Sequence, residues 1–389
     1  MKDAPDSEYS QTEPKPSGES PGYLPRQLVL LGAGHAHIEV LTHLAAHPLV
    51  GARITLIAPH HKQVYSAMLP GFVAGHYSLD DCTLALDPLV RRGGIRWLTR
   101  SVRGLNAQTQ SVQLDDGSNI HYDWLSINTG PVQNRALLEQ SIPGIREHGM
   151  FIRPMESFAG FWPKVAELGT QRALRIALIG GGAAGIELAM AVRQRMAQAA
   201  ITLISGPERA GAAFPAPVQR KLLALLKARR ITLLQDSATA VNHHEIVLAS
   251  GARLACDVPL VTTGAQAPPW IAASGLDRDA QGFVAVDACQ RSTSHPQVFA
   301  AGDVSTRMDI EHARNGVHAL RTGAPLARNL AAAVAGTALR AYTPPAKTLN
   351  VITCGGRQAL AVWGERSVYG GLVWWLKSRS SRRYLQRLH

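Results

Sequence analysis

A short apolar run that ends in a glycine turn occurs twice in this chain, and no other feature restricts the fold as much. The first copy reads Gln27-Leu-Val-Leu-Leu-Gly32-Ala-Gly34-His-Ala-His37. The second reads Arg175-Ile-Ala-Leu-Ile-Gly180-Gly-Gly182-Ala-Ala-Gly185, with Gly180 standing 148 residues after Gly32. An apolar-periodic helix and another short strand follow each turn, Arg53-Ile-Thr-Leu-Ile57 in one case and Ala200-Ile-Thr-Leu-Ile204 in the other, so each copy predicts a βαβ unit. The order has a chemical use. A buried parallel strand delivers the backbone to a tight turn, where glycines let a pyrophosphate approach the free N–H groups and positive dipole end of the next helix. Two such turns predict an α/β chain with two Rossmann-like dinucleotide-binding domains.

Length agrees, because 389 residues exceed what one hydrophobic core of ~250–300 residues holds. A content of 46% hydrophobic and 17% charged residues describes a folded body, neither disordered nor fibrous. No stretch of about 18 uninterrupted apolar residues is present to span a bilayer. The Ser/Pro/Glu-rich start carries no apolar leader, so residues 1–25 read as a disordered tail and the chain as cytoplasmic. Cys82, Cys256, Cys289 and Cys354 are far apart and form no C-x-x-C pair for redox or zinc chemistry. His35, His37, His60, His61 and His76 are irregularly spaced, without a Cys or carboxylate set, and no metal is expected. The net charge of +12 is spread over the whole chain, and no nucleic-acid motif accompanies it.

The two copies differ. Gly180, Gly182 and Gly185 complete the G-x-G-x-x-G fingerprint, whereas His37 stands where the first copy's third glycine belongs. The acid that holds ribose hydroxyls after the second strand is also missing, with Ala58-Pro59 in one unit and Ser205-Gly206 in the other. Arg209 keeps a 2′-phosphate, and so NADPH, open beside NADH.

Three further motifs sit where such units end their strands: Ser126-Ile-Asn-Thr129-Gly130, Val261-Thr-Thr263-Gly264 and Val298-Phe-Ala-Ala-Gly302-Asp303, the last ahead of a helix expected from about Ile310 to Ala335. With them the chain resembles the pyridine nucleotide-disulfide oxidoreductase superfamily over roughly residues 26 to 365. The resemblance implies an NAD(P)-binding domain, 148–261, inserted in an FAD-binding domain, 26–147 and 262–338, with a small C-terminal segment, 339–389. It implies FAD on Gly32, Gly34, His35, Ala36, Thr129, Gly130, Gly302 and Asp303, and NAD(P)H on Gly180, Gly182, Gly185 and Gly264. Asp303 takes the flavin ribityl chain, and Glu187, one turn into the second dinucleotide helix, the catalytic place beside nicotinamide and flavin. Helix-terminus stabilisation is the alternative for Glu187.

Without a thiol pair the disulfide-reductase branch is unsupported, and electrons leave the flavin for another small-molecule acceptor. The chain is similar to type II NADH dehydrogenases, although Val317 and Arg321 stand where the quinone reductases carry paired glutamines. Gly32-Ala-Gly-His-Ala-His37, Val64-Tyr-Ser-Ala-Met-Leu-Pro-Gly71, Ala74-Gly-His-Tyr77 and Leu125-Ser-Ile-Asn128 look like the flavoprotein found with selenophosphate synthetase. A flavin-dependent sulfur or selenium reductase using Cys354, and a non-catalytic FAD/NAD scaffold, are the alternatives. Tyr65, Met68, Leu69 and Pro70 either wall the flavin or acceptor pocket or serve packing. From Arg366 onward there are six Lys or Arg and no acid, around Trp374-Trp375, with Lys377, Arg379, Arg382, Arg383 and Arg387 expected to face anionic lipid at the inner membrane face. A homodimer contact or a lid over the flavin is the other reading of this segment.

Overall fold

The computed structural model describes residues 25–310 and 316–388; the tail expected at 1–25 lies, apart from Pro25, outside the described residues. Strands β1 (Arg26–Leu31), β2 (Ala52–Ile57), β3 (Arg96–Leu98) and β4 (Trp124–Ile127) come first in the chain. Next are β5 (Met150–Phe151), β6 (Arg175–Ile179), β7 (Ala200–Ile204), β8 (Thr232–Leu234) and β9 (Val258–Val261). Then come β10 (Val298–Ala300), β11 (Asn350–Thr353), β12 (Ala359–Trp363) and β13 (Arg366–Gly370). Six helices matter for the site: α1 (His35–Ala46), α2 (Leu69–Val73), α3 (Met155–Gln171), α4 (Ala183–Arg195), α5 (Gly316–Ala335) and α6 (Gly371–Leu388).

Two all-parallel five-stranded sheets result, ordered β10-β4-β1-β2-β3 and β5-β9-β6-β7-β8. Parallel sheets are covered on both faces, which is why their strands are apolar throughout rather than alternating. In β1, Leu28 and Leu30 join one core while Val29 and Leu31 join another; in β6, Ile176 and Leu178 likewise part from Ala177 and Ile179. Each unit also carries a three-stranded antiparallel meander before its fourth long strand, Val102–His121 in one and Ala238–Ala255 in the other. The likeness of the two halves is therefore deeper than the glycine turns alone indicate. A third, antiparallel sheet, β11-β12-β13, and α6 form the C-terminal part.

Helix α1 lies tightly on α5 because Gly323 has no side chain: a Cβ there would come within 2.5 Å of Glu39 Cβ and 2.8 Å of the Ala36 carbonyl. The helix expected from Ile310 is seen from Gly316; Ile310 is in a bend, and residues 311–315 fall outside the described residues.

His37 fills the place of the missing third glycine without exposing itself. Its Nδ1 meets the Gly32 carbonyl at 2.6 Å and its Nε2 the Ser126 hydroxyl at 2.8 Å, so it bridges the β1 turn to β4. The carbonyl can only accept, so Nδ1 carries the proton and Nε2 accepts from Ser126. Burial lowers the His37 pKa to about 4 from 6.5. A lowered folded-state value means that the unfolded chain binds the extra proton first, so this contribution is complete above pH 6.5 and is lost as pH falls toward 4. At about 1.4 kcal/mol per unit the loss approaches ~3 kcal/mol. We expect chemical denaturation of His37→Gln between pH 4 and 7 to give a flatter stability profile than wild type; equal slopes would contradict the assignment.

Candidate functional site

The two glycine turns open on one solvent-accessible cleft of about 2110 Å³. From the first unit it is lined by Gly32, Gly34, His35, Thr129, Gly130 and Asp303; from the second, by Ala183, Ala184 and Glu187. Ala36 is buried under α5, while Gly180, Gly182, Gly185, Gly264 and Gly302 shape turns without lining the cleft. The six residues expected for the first dinucleotide that do line it come from three separate segments of chain.

Asn128 joins those segments. Its carbonyl accepts from Gly34 N at 3.1 Å, its Oδ1 accepts from His37 N at 3.0 Å, and its Nδ2 donates to the Ala301 carbonyl at 2.5 Å. One amide thus fixes the β1 turn, the end of β4 and the approach to Gly302-Asp303. A Cβ on Gly34 would stand 2.5 Å from Asn128 Oδ1, and Gly32, with φ +81°, would bring one within 2.6 Å of Thr129 Cα. The backbone here is held open by the lack of side chains. In the second turn a Cβ on Gly185 would overlap the Gly180 carbonyl, and Gly180 has φ +128°. Only glycine satisfies both positions.

Asp303, His35, Arg153 and Glu156 share the inner cleft. Burial and the Arg153 charge lower His35 to about 4, so it is neutral. Burial pulls the Arg153 guanidinium down, and the charges of Asp303 and Glu156 push it back up. Glu156 accepts from Val64 N at 3.1 Å, and Arg153 N donates to Gln133 Oε1 at 2.9 Å. Gln133 Nε2 in turn donates to the Val261 carbonyl at 2.8 Å and clips the first unit to the second. Arg153, Glu156 and Gln133 escape the sequence reading because no local motif marks them; only the meeting of β5 and β9 brings them to the cleft. At the outer end Pro59, His60, Gln63 and Arg100 line the region where an acid after β2 would stand.

Glu187 is held from the C-terminal part. Its Oε1 accepts from Thr353 N at 2.6 Å and from Lys377 Nζ at 3.2 Å, and that ammonium also donates to the Val351 carbonyl and Thr353 Oγ1 at 2.8 and 2.7 Å. The expectation that Lys377 faces lipid is therefore corrected: it turns inward, because the opposite face of α6 is the one that meets solvent. Trp374 also packs inward, its ring stacked over Tyr77 at 6.4 Å, and Arg387 pairs with Glu39 at 2.8 Å. Leu372, Trp375 and Leu376 remain exposed.

Tyr65, Met68, Leu69 and Pro70 do not line the cleft. Met68, Leu69 and Pro70 turn into the core through α2 and the turn before it, and Tyr65 packs on Tyr384 at 5.2 Å. Cys354 is buried, its Sγ is 3.4 Å from the Ile352 carbonyl, and burial pushes the thiol up to about 12. It is a packed thiol and a poor nucleophile. Arg321 is exposed and lies outside the cleft lining. Among the described residues no group of three His, Cys, Asp or Glu side chains gathers for a metal.

Two five-stranded parallel sheets whose glycine turns face one cleft define a dinucleotide-dependent oxidoreductase. The chain belongs to the pyridine nucleotide-disulphide oxidoreductase family, whose model matches residues 26–319. It is 26% identical over 325 residues to the NADH dehydrogenase-like protein Rv1812c of Mycobacterium tuberculosis, with 78% of each chain covered. In fold it is similar to the sulfide:quinone oxidoreductase of Aquifex aeolicus (TM-score 0.75, 17% identity, 93% of this chain and 91% of that one). It is also similar to NDH2 from Plasmodium falciparum in complex with NADH (TM-score 0.72, 14% identity, 93% and 97%).

The cofactors of this family are FAD and NAD(P)H, and the residues present fit both: Gly32 and Gly34 in the first turn and Gly180 and Gly185 in the second leave no room for a Cβ, and Asp303 lines the cleft. Substituting Gly34→Ala or Asp303→Ala is expected to remove most bound FAD from the purified protein while far-UV circular dichroism stays unchanged. Stoichiometric flavin absorbance in both variants would refute these roles.

Proposed function

We propose that the chain is an FAD-dependent oxidoreductase that takes hydride from NAD(P)H and passes the electrons to a quinone-like or other small acceptor. We propose for its domains the division 26–147 with 262–338, 148–261 and 339–389, and for its kind the stand-alone counterpart of the flavoprotein found with selenophosphate synthetase. One observation carries the reading: a single cleft receives lining residues from both glycine-turn units. Bound there, the flavin supplies the hydride-accepting and electron-releasing chemistry.

The chain's own residues bind, orient and exclude water. The two turns present free helix N–H groups to the pyrophosphates. Asp303 holds the ribityl hydroxyls, and the neutral His35 beside Arg153 adds no charge to the first turn. Glu187 orients the nicotinamide amide or relays a proton, and its carboxylate is fixed for that work by Lys377 and Thr353 N. The Ser205 hydroxyl is engaged with the Glu208 carbonyl at 2.5 Å and Arg209 is exposed, an arrangement compatible with either nicotinamide. The burial of Cys354 weighs against the sulfur or selenium alternative. Leu372, Trp375 and Leu376, 70%, 49% and 53% exposed, with Arg379 over the Trp375 ring, favour peripheral attachment to an anionic membrane surface over a homodimer contact.

Anaerobic stopped-flow mixing with NADH and with NADPH should bleach the flavin within seconds, and Glu187→Gln should slow the bleaching about 100-fold. Bleaching over hours in wild type would instead support a scaffold. In flotation assays, wild type should bind phosphatidylglycerol vesicles in a salt-sensitive way, and combined Leu372→Ser, Trp375→Ser and Leu376→Ser should weaken binding at least about tenfold. Unchanged flotation would end the membrane reading.

A further inference from the structure

A second cavity of about 570 Å³ lies between the turn after α2, the middle of α3 and the end of α4, and it shares no lining residue with the dinucleotide cleft. His76, Tyr77, Ser78, Trp162 and Arg195 line it. Arg195 lines the cavity, and two more arginines lie over aromatic rings beside it. Arg195 Nη1 would be 2.5 Å from a Cβ on Gly75, Arg357 lies 5.8 Å from the centre of the Trp374 ring, and Arg382 lies 5.3 Å from that of Tyr77. The Trp374 ring is itself 5.5 Å from His76 and stacked with Tyr77.

Among the described residues no acid comes within 4.0 Å of any of these three arginines. Asp81, whose charge Arg382 feels, is already held by the backbone N–H and hydroxyl of Ser78, at 2.9 and 2.8 Å. The His76 Nδ1 is buried with no hydrogen-bond partner. A buried polar nitrogen left unsatisfied is costly, and a ligand oxygen at this position would satisfy it. Guanidinium forks match the oxygens of phosphate in pairs. The exposed Leu372, Trp375 and Leu376 begin on the same turns of α6 that carry Trp374.

We propose that this cavity is a separate anion site that takes a phosphate group, from a phospholipid headgroup or a soluble phosphate ester, between Arg195, Arg357 and the His76 ring. The site does not depend on the flavin reading, since none of these residues lines the cleft. The test uses the holoprotein with flavin bound and NAD⁺ in excess, so that both glycine turns are filled. Calorimetric titration with inorganic phosphate should give saturable binding, weakened at least about tenfold in Arg195→Gln, the equivalent of one charge-assisted hydrogen bond. Arg195→Lys should recover part of the loss, and Arg103→Gln, on the first meander, should bind phosphate as wild type does. If phosphate displaces the protein from phosphatidylglycerol vesicles, the lipid headgroup is the source; if flotation ignores phosphate while calorimetry shows Arg195-dependent binding, a soluble phosphate is. Should Arg195→Gln lose its far-UV spectrum, Arg357→Gln gives the same comparison from the other side of Trp374. Absence of saturable binding, or equal binding by wild type and the arginine variants, overturns the proposal.

Discussion

The carboxamide of Asn128 is the tie on which the cleft depends. It is buried, and it engages the first glycine turn, the His37 amide and the strand end before Gly302 at once. Three segments widely separated in sequence meet at one side chain, so their spacing is set by hydrogen-bond length rather than by loop flexibility. Glycines at 32, 34 and 302 follow from it, because each would push a Cβ into Asn128 or its neighbour Thr129. The composition of the turn is thus a consequence of what it packs against, as much as of what it is to hold.

What the sequence made legible was local. Glycine turns, the strands on either side of them and the two Thr-Gly strand ends announce themselves within about a dozen residues, because backbone constraint and strand burial act at short range. His37 departs from the fingerprint in the sequence, and the fold makes it a bridge, since Ser126 and the Gly32 carbonyl supply partners for both ring nitrogens. Glu187 was visible by position on its helix; Lys377, which holds it, was not. They stand 190 positions apart, and nothing in the sequence between them pairs one acid with one of forty basic side chains. Gln133, Arg153 and Glu156 were hidden for the same reason.

The C-terminal helix shows how composition misleads when the face is unknown. A run of cations and tryptophans suggests one uniform interfacial surface, yet the helix is divided. Lys377, Ser378, Ser381, Leu385 and Leu388 turn toward the body, while Leu372, Trp375 and Leu376 turn outward. Its inner face reaches the cleft through Glu187, and its outer face offers an apolar patch to whatever lies outside. An event at that outer surface therefore has a short rigid route to the carboxylate: one turn of helix and one ammonium group.

The interleaving of the two sheets sets an order of maturation. All five strands of the second sheet lie between Met150 and Val261, whereas the first sheet takes its last strand from Val298–Ala300, beyond the whole of the second. As the chain leaves the ribosome, β4 waits with an open edge while the inner unit is synthesised and can close on itself. The half that begins first is finished last. A nascent chain stalled between Val261 and Val298 would hold one complete nucleotide fold and one half-built neighbour with a bare strand, the state in which this protein is most in need of a chaperone.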